Sequence, residues 1–546
     1  MIGLGSMRVT DAAVIDAAID AGVDLIDTAD AYENEALVAR AIASRAVKIV
    51  TKGGLVRPGG AWVPDGRASH LAAAARASLA RLGAIDLYLL HAIDPRVPLA
   101  TSVRAIDRLR DDGVVRGIGV SNVNLAQLDE ALAIAPAIEA VEVELSPWRL
   151  DALRGGVVAA CERRGLTLLA HRPLGGAAGV RRLSRVAPLA ESLGLTPAEL
   201  ALAWLRAKSP AIVPLPGATR IETARSAARA QTIALDRDVV ARLDELFEIS
   251  TVRPERAAAR GESKDVVLIM GIPAAGKSTL AASYVDRGYL RFNRDERGGS
   301  LAHTHRALDA ALADGAARAI LDNTYVNRAA RAPVIELARR HGARVTCIHV
   351  ATPLEDAQTN ACARMLARYG RLLEPDEIKR IAKKDPGTFG PHAQFRWRRE
   401  HEAPSLDEGF DAIEIVTPPR AISGGDRAAI FVTLDQAGLH APSAIPDDVL
   451  LVGLAWLPDV PSETWDALAD RTRALVGREV VLARCPHAAG PPVCWCRKPL
   501  PGLGLAIARA HAIDLSRSLV VGRGAADRGF AERLGIRYGE TLSIDV

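Results

Sequence analysis

The stretch VDLIDTADAY, residues 23–32, reads as a short buried strand running straight into a polar loop. Val23, Leu25 and Ile26 suit a strand covered on both faces, and Asp27 ends it. Tyr32 follows in the loop. Two chemically able side chains thus fall at the C-terminal edge of one strand, the edge on which a βα barrel carries its active site. The pattern recurs outward. VKIVTK ends on Lys52 and IDLYLLHA carries His91 at its end. VRGIGVSN, AVEVEL, LTLLAH and AIVPLP follow, with amphipathic helical stretches between them. These seven units, with an early strand around Ile2, supply what an eight-stranded (β/α)8 TIM barrel requires.

A tyrosine donates a proton near neutral pH when cationic and hydrogen-bonding neighbours lower its pKa. A lysine held by an aspartate, with a histidine near the substrate oxygen, would do this. DTADAY, TKGG, LLHA and GIGVSN resemble the aldo-keto reductase family over residues 1–248. By that resemblance Asp27, Tyr32, Lys52 and His91 are the catalytic tetrad, and Tyr32 protonates a carbonyl oxygen while a nicotinamide delivers hydride. Ser121 and Asn122 match positions that hold the carboxamide. Gly217, Thr219 and Arg220 of PGATR match the phosphate-binding segment. Arg220 implies NADPH, because a 2′-phosphate calls for a cation. Glu142 stands where the family usually has glutamine, His171 where an aromatic commonly stacks on the nicotinamide, and Arg225-Ser226 where a Glu-Asn pair is usual. Set against that resemblance, a barrel without the family's usual N-terminal hairpin is expected.

At 546 residues the chain exceeds one core, and a net charge of +4 neither demands nor excludes nucleic acid. No secretory signal or membrane-spanning run is evident, and the scattered cysteines argue against a disulfide framework, so a cytoplasmic α/β protein is expected. ISTVRPERAAARGESK, residues 249–264, reads as a linker. A second α/β block spans 265–422, and a third, after the Gly-rich join AISGGDR, spans 427–546.

The second block opens on the strand VVLIM and then GIPAAGKST. A G-x-x-x-x-G-K-[ST] loop between a strand and a helix cradles phosphates on backbone N–H groups. Gly271, Ala275, Gly276, Lys277, Ser278 and Thr279 form this nucleotide site. Lys277 neutralises the outer phosphates of ATP and Ser278 ligates Mg²⁺. Asp295, in NRD one βα unit on, suits a base that takes the proton of an attacking hydroxyl. Arg364, Arg368 and Arg371 lie in a stretch suited to a lid. With LDNT, VNRAAR and ATPLEDA, these features resemble the P-loop kinase domain of polynucleotide kinase-phosphatases. The resemblance makes Asp295 the base for a 5′-hydroxyl and Arg364 the lid arginine. Arg294, Arg297, Arg328 and Arg331 either meet strand phosphates or form a solvated face.

CPHAAGPPVCWC places Cys485, His487, Cys494 and Cys496 as a closed four-ligand set, the pattern of structural Zn²⁺. CRKPLPG, AAIFVTLDQAG and SLVVGRGAAD resemble the Rossmannoid haloacid dehalogenase superfamily, nearest its zinc-containing phosphatases. Aligned so, the nucleophile position is Thr433, with Asp435 kept. Arg523 replaces a Mg²⁺-binding aspartate, Asp527 is kept, and Lys498 matches the family lysine. Without a carboxylate at position 433 no aspartyl-phosphate forms, which implies a phosphatase fold without phosphatase activity.

The combined expectation is an end-processing enzyme. It phosphorylates 5′-hydroxyl ends of RNA or DNA and reduces a small carbonyl or sugar aldehyde with NADPH, without a membrane partner. A carbonyl reductase fused to a small-molecule kinase, and an NADPH-sensing barrel that regulates the kinase, are the alternatives.

Overall fold

The structure, a computed structural model, describes residues 1–42, 45–247, 264–420, 424–434, 445–456, 461–476, 478–488 and 493–540. One compact unit comprises residues 1–256 with 327–336, and the other residues 257–326 with 337–546.

The first unit holds eight parallel strands in the order Leu4–Gly5, Leu25–Asp27, Lys48–Gly53, Leu87–Leu90, Gly117–Ser121, Ile138–Glu144, Thr167–His171 and Ile212–Leu215. A parallel bridge from Gly5 to Gly217, with Gly3 N donating to Pro214 O at 3.0 Å, closes the ring. The early strand starts at Leu4, two residues beyond Ile2. Ile2 itself packs with Leu202 and Ala230. The strands are buried along nearly their whole length because both faces are covered. Leu25, Val50, Leu87, Leu89, Leu169 and Leu215 belong to one compact cluster of strand side chains, the filling of a barrel interior.

The helices outside follow their apolar stripes. Leu99–Asp111 buries Leu99, Val103, Ile106 and Leu109, spaced three or four apart as a helix face requires. Pro197–Lys208 starts on a capping box in which Thr196 and Glu199 satisfy each other's backbone N–H groups. A short antiparallel hairpin, Leu55–Val56 with Val63–Pro64, interrupts the connection after Lys48–Gly53.

The second unit contains two five-stranded parallel sheets. In one, Asp265–Gly271 lies between Arg318–Asp322 and Arg344–Val350, with Leu290–Phe292 and Ala412–Val416 outermost. A central strand with crossovers to both sides opens a crevice at its C-terminal end, where ligands bind in doubly wound sheets. In the other, Ala429–Thr433 lies between Leu450–Trp456 and Leu519–Val521, flanked by Val480–Cys485 and Arg537–Gly539.

Each sheet has a cluster of its own, around Val267 and Ile348 in one and Ile430 and Leu451 in the other, but a third cluster joins the two blocks. The helix Leu354–Tyr369 puts Ala361, Met365 and Leu366 into one cluster with Phe431, Val452, Trp495 and Phe530. The expected linker over 249–264 lies outside the described residues except for Lys264, as does Asp435. Among the described residues, no helix is long and apolar enough to cross a membrane.

Candidate functional site

The C-terminal ends of the barrel strands bring the first set of side chains together. Asp27 ends its strand, Tyr32 ends the 3-10 turn Asp30–Tyr32, and Lys52 lies one residue before the end of Lys48–Gly53. His91 follows Leu87–Leu90 directly. Lys52 is fully buried and its Nζ donates to Asp27 Oδ1, and to the Thr28 carbonyl at 3.0 Å. Glu142 Oε2 lies 3.1 Å from the same Nζ, without hydrogen-bond geometry. The ammonium stands 5.4 Å from the Tyr32 ring centroid, and the Tyr32 and His91 rings meet edge to face at 5.7 Å.

Trp62, carried by the hairpin, completes the aromatic wall. It stands edge-on to Tyr32 at 6.3 Å and close to His91 at 6.2 Å, and remains 43% exposed. Asn122 adopts the left-handed region at φ 59°; its amide donates to the His91 carbonyl at 3.0 Å and meets His171 Nε2 at 3.1 Å. Ser121 is buried beside it. Gly217, Thr219 and Arg220 are exposed immediately before the helix Ile221–Arg229.

Burial dominates the electrostatics. It pushes the Tyr32 phenol up to about 12 against the pull of Lys52, so the expected lowering does not occur in this site. Burial opposes the charge on Lys52, yet Asp27, Glu142 and Tyr32 hold its pKa above the ordinary lysine value. Burial, and then the lysine's charge, lower His91 to about 2, leaving a neutral imidazole at working pH. Its Nδ1 is buried with no hydrogen-bond partner among the described residues, ready for a polar group from outside. Glu142, buried against Asp27, is pushed up to about 8.

In the second unit a cleft of about 1200 Å³ is lined by Lys277, Ser278, Asp295, Asp322, Arg364 and Phe389, among others. The loop before the helix Lys277–Val285 needs its glycines. Gly271 has φ +152°, and a Cβ there would meet the Val350 carbonyl at 2.6 Å. Lys277 Nζ donates to the carbonyls of Gly271 and Ile272 at 3.0 and 2.9 Å, and burial lowers its pKa to about 8.

Ser278 Oγ donates to Asp322 Oδ2 at 2.9 Å. Asn293 caps the turn that presents Asp295, which pairs with Arg294 at 3.2 Å. The loop is braced from outside, by Asn360 Nδ2 on the Ala274 carbonyl at 3.1 Å and Gln394 Nε2 on that of Pro273 at 2.8 Å.

Beside the third sheet, the ligand atoms of Cys485, His487, Cys494 and Cys496 all lie within 4.8 Å of one another, with the thiols free. At the end of Ala429–Thr433, Thr433 donates to Asp527 at 2.6 Å, and Lys498 Nζ contacts both. The cation at this strand end is therefore Lys498, while Arg523 is exposed.

Residues 2–248 match the Aldo/keto reductase family, and residues 266–378 match an AAA domain. An uncharacterized oxidoreductase of Schizosaccharomyces pombe is 30% identical over 264 residues, covering 45% of this chain and 85% of that protein. The chain belongs to the aldo/keto reductase family. Among solved structures, an aldo-keto reductase from Klebsiella pneumoniae, in complex with NADPH, is 28% identical, with TM-score 0.41, covering 47% of this chain and 94% of that one. An aldose reductase from Giardia lamblia is 22% identical, with TM-score 0.40, covering 45% and 92%.

In the reductase barrel the four residues named from sequence come together, with Ser121, Asn122, Glu142 and His171 around them. Trp62 was missed, because a hairpin inserted after a strand leaves no periodic signal. In the kinase-like cleft Asp322 was missed as a site residue, although an acid at the end of the strand in AILDNT was its sign. Of the three lid arginines only Arg364 lines the cleft. Arg368 pairs with Asp385 at 2.7 Å and Arg371 with Glu377 at 2.8 Å. Arg294 lines the cleft, whereas Arg331 is fully buried and Arg297 lies 4.6 Å from the Phe292 ring centroid.

Proposed function

We propose that the chain carries two activities: reduction of an aldehyde or ketone with NADPH, and transfer of the γ-phosphate of ATP to a 5′-hydroxyl polynucleotide end. In the barrel, the support is the buried Asp27–Lys52 pair set against Tyr32 and His91. Tyr32 gives its phenolic proton to the carbonyl oxygen, and the charge on Lys52 stabilises the phenolate left behind. Asp27 keeps Lys52 charged and aimed. Neutral His91 orients the oxygen, and Trp62 walls the substrate. Ser121, Asn122, Glu142 and His171 would hold the nicotinamide end and Gly217, Thr219 and Arg220 the phosphates, where an exposed arginine at a helix start suits a 2′-phosphate. Bound NADPH supplies the hydride.

The kinase reading rests on Asp295 facing the same cleft as Lys277, the Ser278–Asp322 pair and Arg364. Lys277 leaves the loop carbonyls for the outer phosphates of ATP, and Ser278 with Asp322 would hold Mg²⁺. Asp295 accepts the proton of the attacking hydroxyl, and Arg364 steadies the moving phosphoryl group. At about 1200 Å³ the cleft exceeds an ordinary small-ligand pocket, and Arg294 and Arg396 on its wall suit strand phosphates.

The test offers γ-³²P-ATP with 5′-hydroxyl DNA, RNA and small alcohols side by side. Label on the oligonucleotides supports the reading. Label on the small alcohols alone makes the enzyme a small-molecule kinase, and no transfer to any acceptor contradicts it.

The haloacid dehalogenase-like third sheet serves as an inactive phosphatase, because Thr433 replaces the nucleophile and Lys498 is bound to Asp527. Incubation with a 3′-phosphorylated oligonucleotide and Mg²⁺ should release no more phosphate than a Lys498→Ala chain does. The reductase substrate fits the same theme if it is a sugar aldehyde at a broken or abasic strand. NADPH oxidation with an abasic-site oligonucleotide tests this, and background rates would remove the link.

A further inference from the structure

Arg364 and the cysteine–histidine cluster are joined through packing within the second unit. Trp495 sits between Cys494 and Cys496, only 1% exposed, and its indole N–H donates to the Phe389 carbonyl at 3.1 Å. The Phe389 ring in turn stands against Arg364, whose guanidinium lies 5.4 Å from the ring centroid and donates to the neighbouring Gly387 carbonyl.

A second connection starts from His487. Its Nδ1 faces the thiols, 3.6 Å from Cys485 Sγ and 3.1 Å from Cys496 Sγ, and its Nε2 meets Glu374 Oε2 at 2.5 Å. Glu374 caps the helix Pro375–Ile381, and Ile378 of that helix packs in one cluster with Met365 and Leu366 on the helix of Arg364. Two routes therefore lead from the ligand loop to the one lid arginine that lines the cleft.

The four donors suit a tetrahedral ion with thiolates at about 2.3 Å and an imidazole nitrogen at about 2.0–2.1 Å. An imidazole that binds an ion through one nitrogen and a carboxylate through the other is held in both orientation and tautomer. An ion would tie the three thiols and the ring to one point, coupling Cys485 and His487 to Cys494 and Cys496.

We propose that an ion held by Cys485, His487, Cys494 and Cys496 positions Arg364 over the phosphate loop, through Trp495–Phe389 and His487–Glu374, and so sets the affinity for the terminal phosphate of ATP. The inference rests on the cleft being a nucleotide site. Arg364 lines the same cleft as Lys277 and Asp295. Phe389 and Trp495 act as positioning residues, since neither offers a group to the phosphates.

Calorimetric titration of the full chain with Mg·ATP and Mg·ADP tests the proposal on zinc-loaded, metal-stripped, Phe389→Ala and Phe389→Tyr proteins. Stripping and Phe389→Ala should each weaken ATP about tenfold and ADP less than about twofold, the size of one lost charged contact, and Phe389→Tyr should restore ATP binding. Equal ATP affinity in loaded and stripped chains overturns the proposal, as does parallel loss of ATP and ADP. A loss on stripping that Phe389→Ala does not reproduce overturns the route. If stripping unfolds the second unit, the loaded Phe389→Ala chain alone decides. A loaded wild-type chain that binds neither nucleotide overturns the kinase reading and this inference together.

Discussion

Glu142 places a second carboxyl against Asp27 and Lys52, where one lysine serves two acids. Burial first, then Asp27, raise it from an ordinary 4.5 to about 8. The folded chain thus keeps a proton that the unfolded chain has already lost. The stability linked to that proton is complete below pH 4.5 and is lost progressively as pH rises towards about 8. Glu142→Gln removes the titration, so its melting temperature should fall less than that of wild type between pH 5 and pH 8. Parallel melting curves for the two proteins would refute this assignment. Tyr32→Phe keeps the ring packing and removes the acid, and reduction should drop roughly 10²–10⁴-fold, the usual contribution of a positioned acid, with the fold unchanged by circular dichroism. His91, held near 2, should add no break to the pH profile of reduction above pH 5.

At the scale of elements, the strand ends were readable because a βα barrel puts its working side chains there. Asp27, Lys52 and His91 could be named from their neighbours alone. The phosphate loop was equally plain, since strand, glycines, lysine and helix stand in one order. Gly271→Ala tests that reading. Its Cβ would press on the Val350 carbonyl in a backbone region that disfavours alanine, costing about 1–3 kcal/mol in urea unfolding of the second unit and weakening ATP binding.

What sequence left unread depends on tertiary approach. Trp62 reaches Tyr32 and His91 only because a hairpin folds back, so its role belongs to no strand or helix. Trp62→Ala should raise KM for the carbonyl substrate more than it lowers kcat, because it removes a wall and leaves the acid in place. The partners of Arg368 and Arg371 lie on later turns, which is why the lid looked richer in free arginines than it is.

At the scale of the whole molecule, composition announced several cores and little else. Net charge was silent on partners, and Lys277, Arg294, Arg364 and Arg396 meet only in the folded cleft, beside Asp295, Asp322 and Glu400. The second and third blocks, separate in sequence, share the cluster around Leu366, Phe431 and Trp495, a union no linker composition shows. Stripping an ion from the proposed Cys485–His487–Cys494–Cys496 site should therefore lower the thermal stability of the second unit and leave barrel turnover intact; equal loss in both would argue against this division.

Two independent active sites on one chain, as proposed, should fail separately. A crossed assay of wild type, Tyr32→Phe and Asp295→Asn tests this most directly, with NADPH oxidation and γ-phosphate transfer to a 5′-hydroxyl oligonucleotide read on each protein. Tyr32→Phe should lose only reduction and Asp295→Asn only transfer. Transfer that survives Asp295→Asn, or falls with Tyr32→Phe, would contradict this.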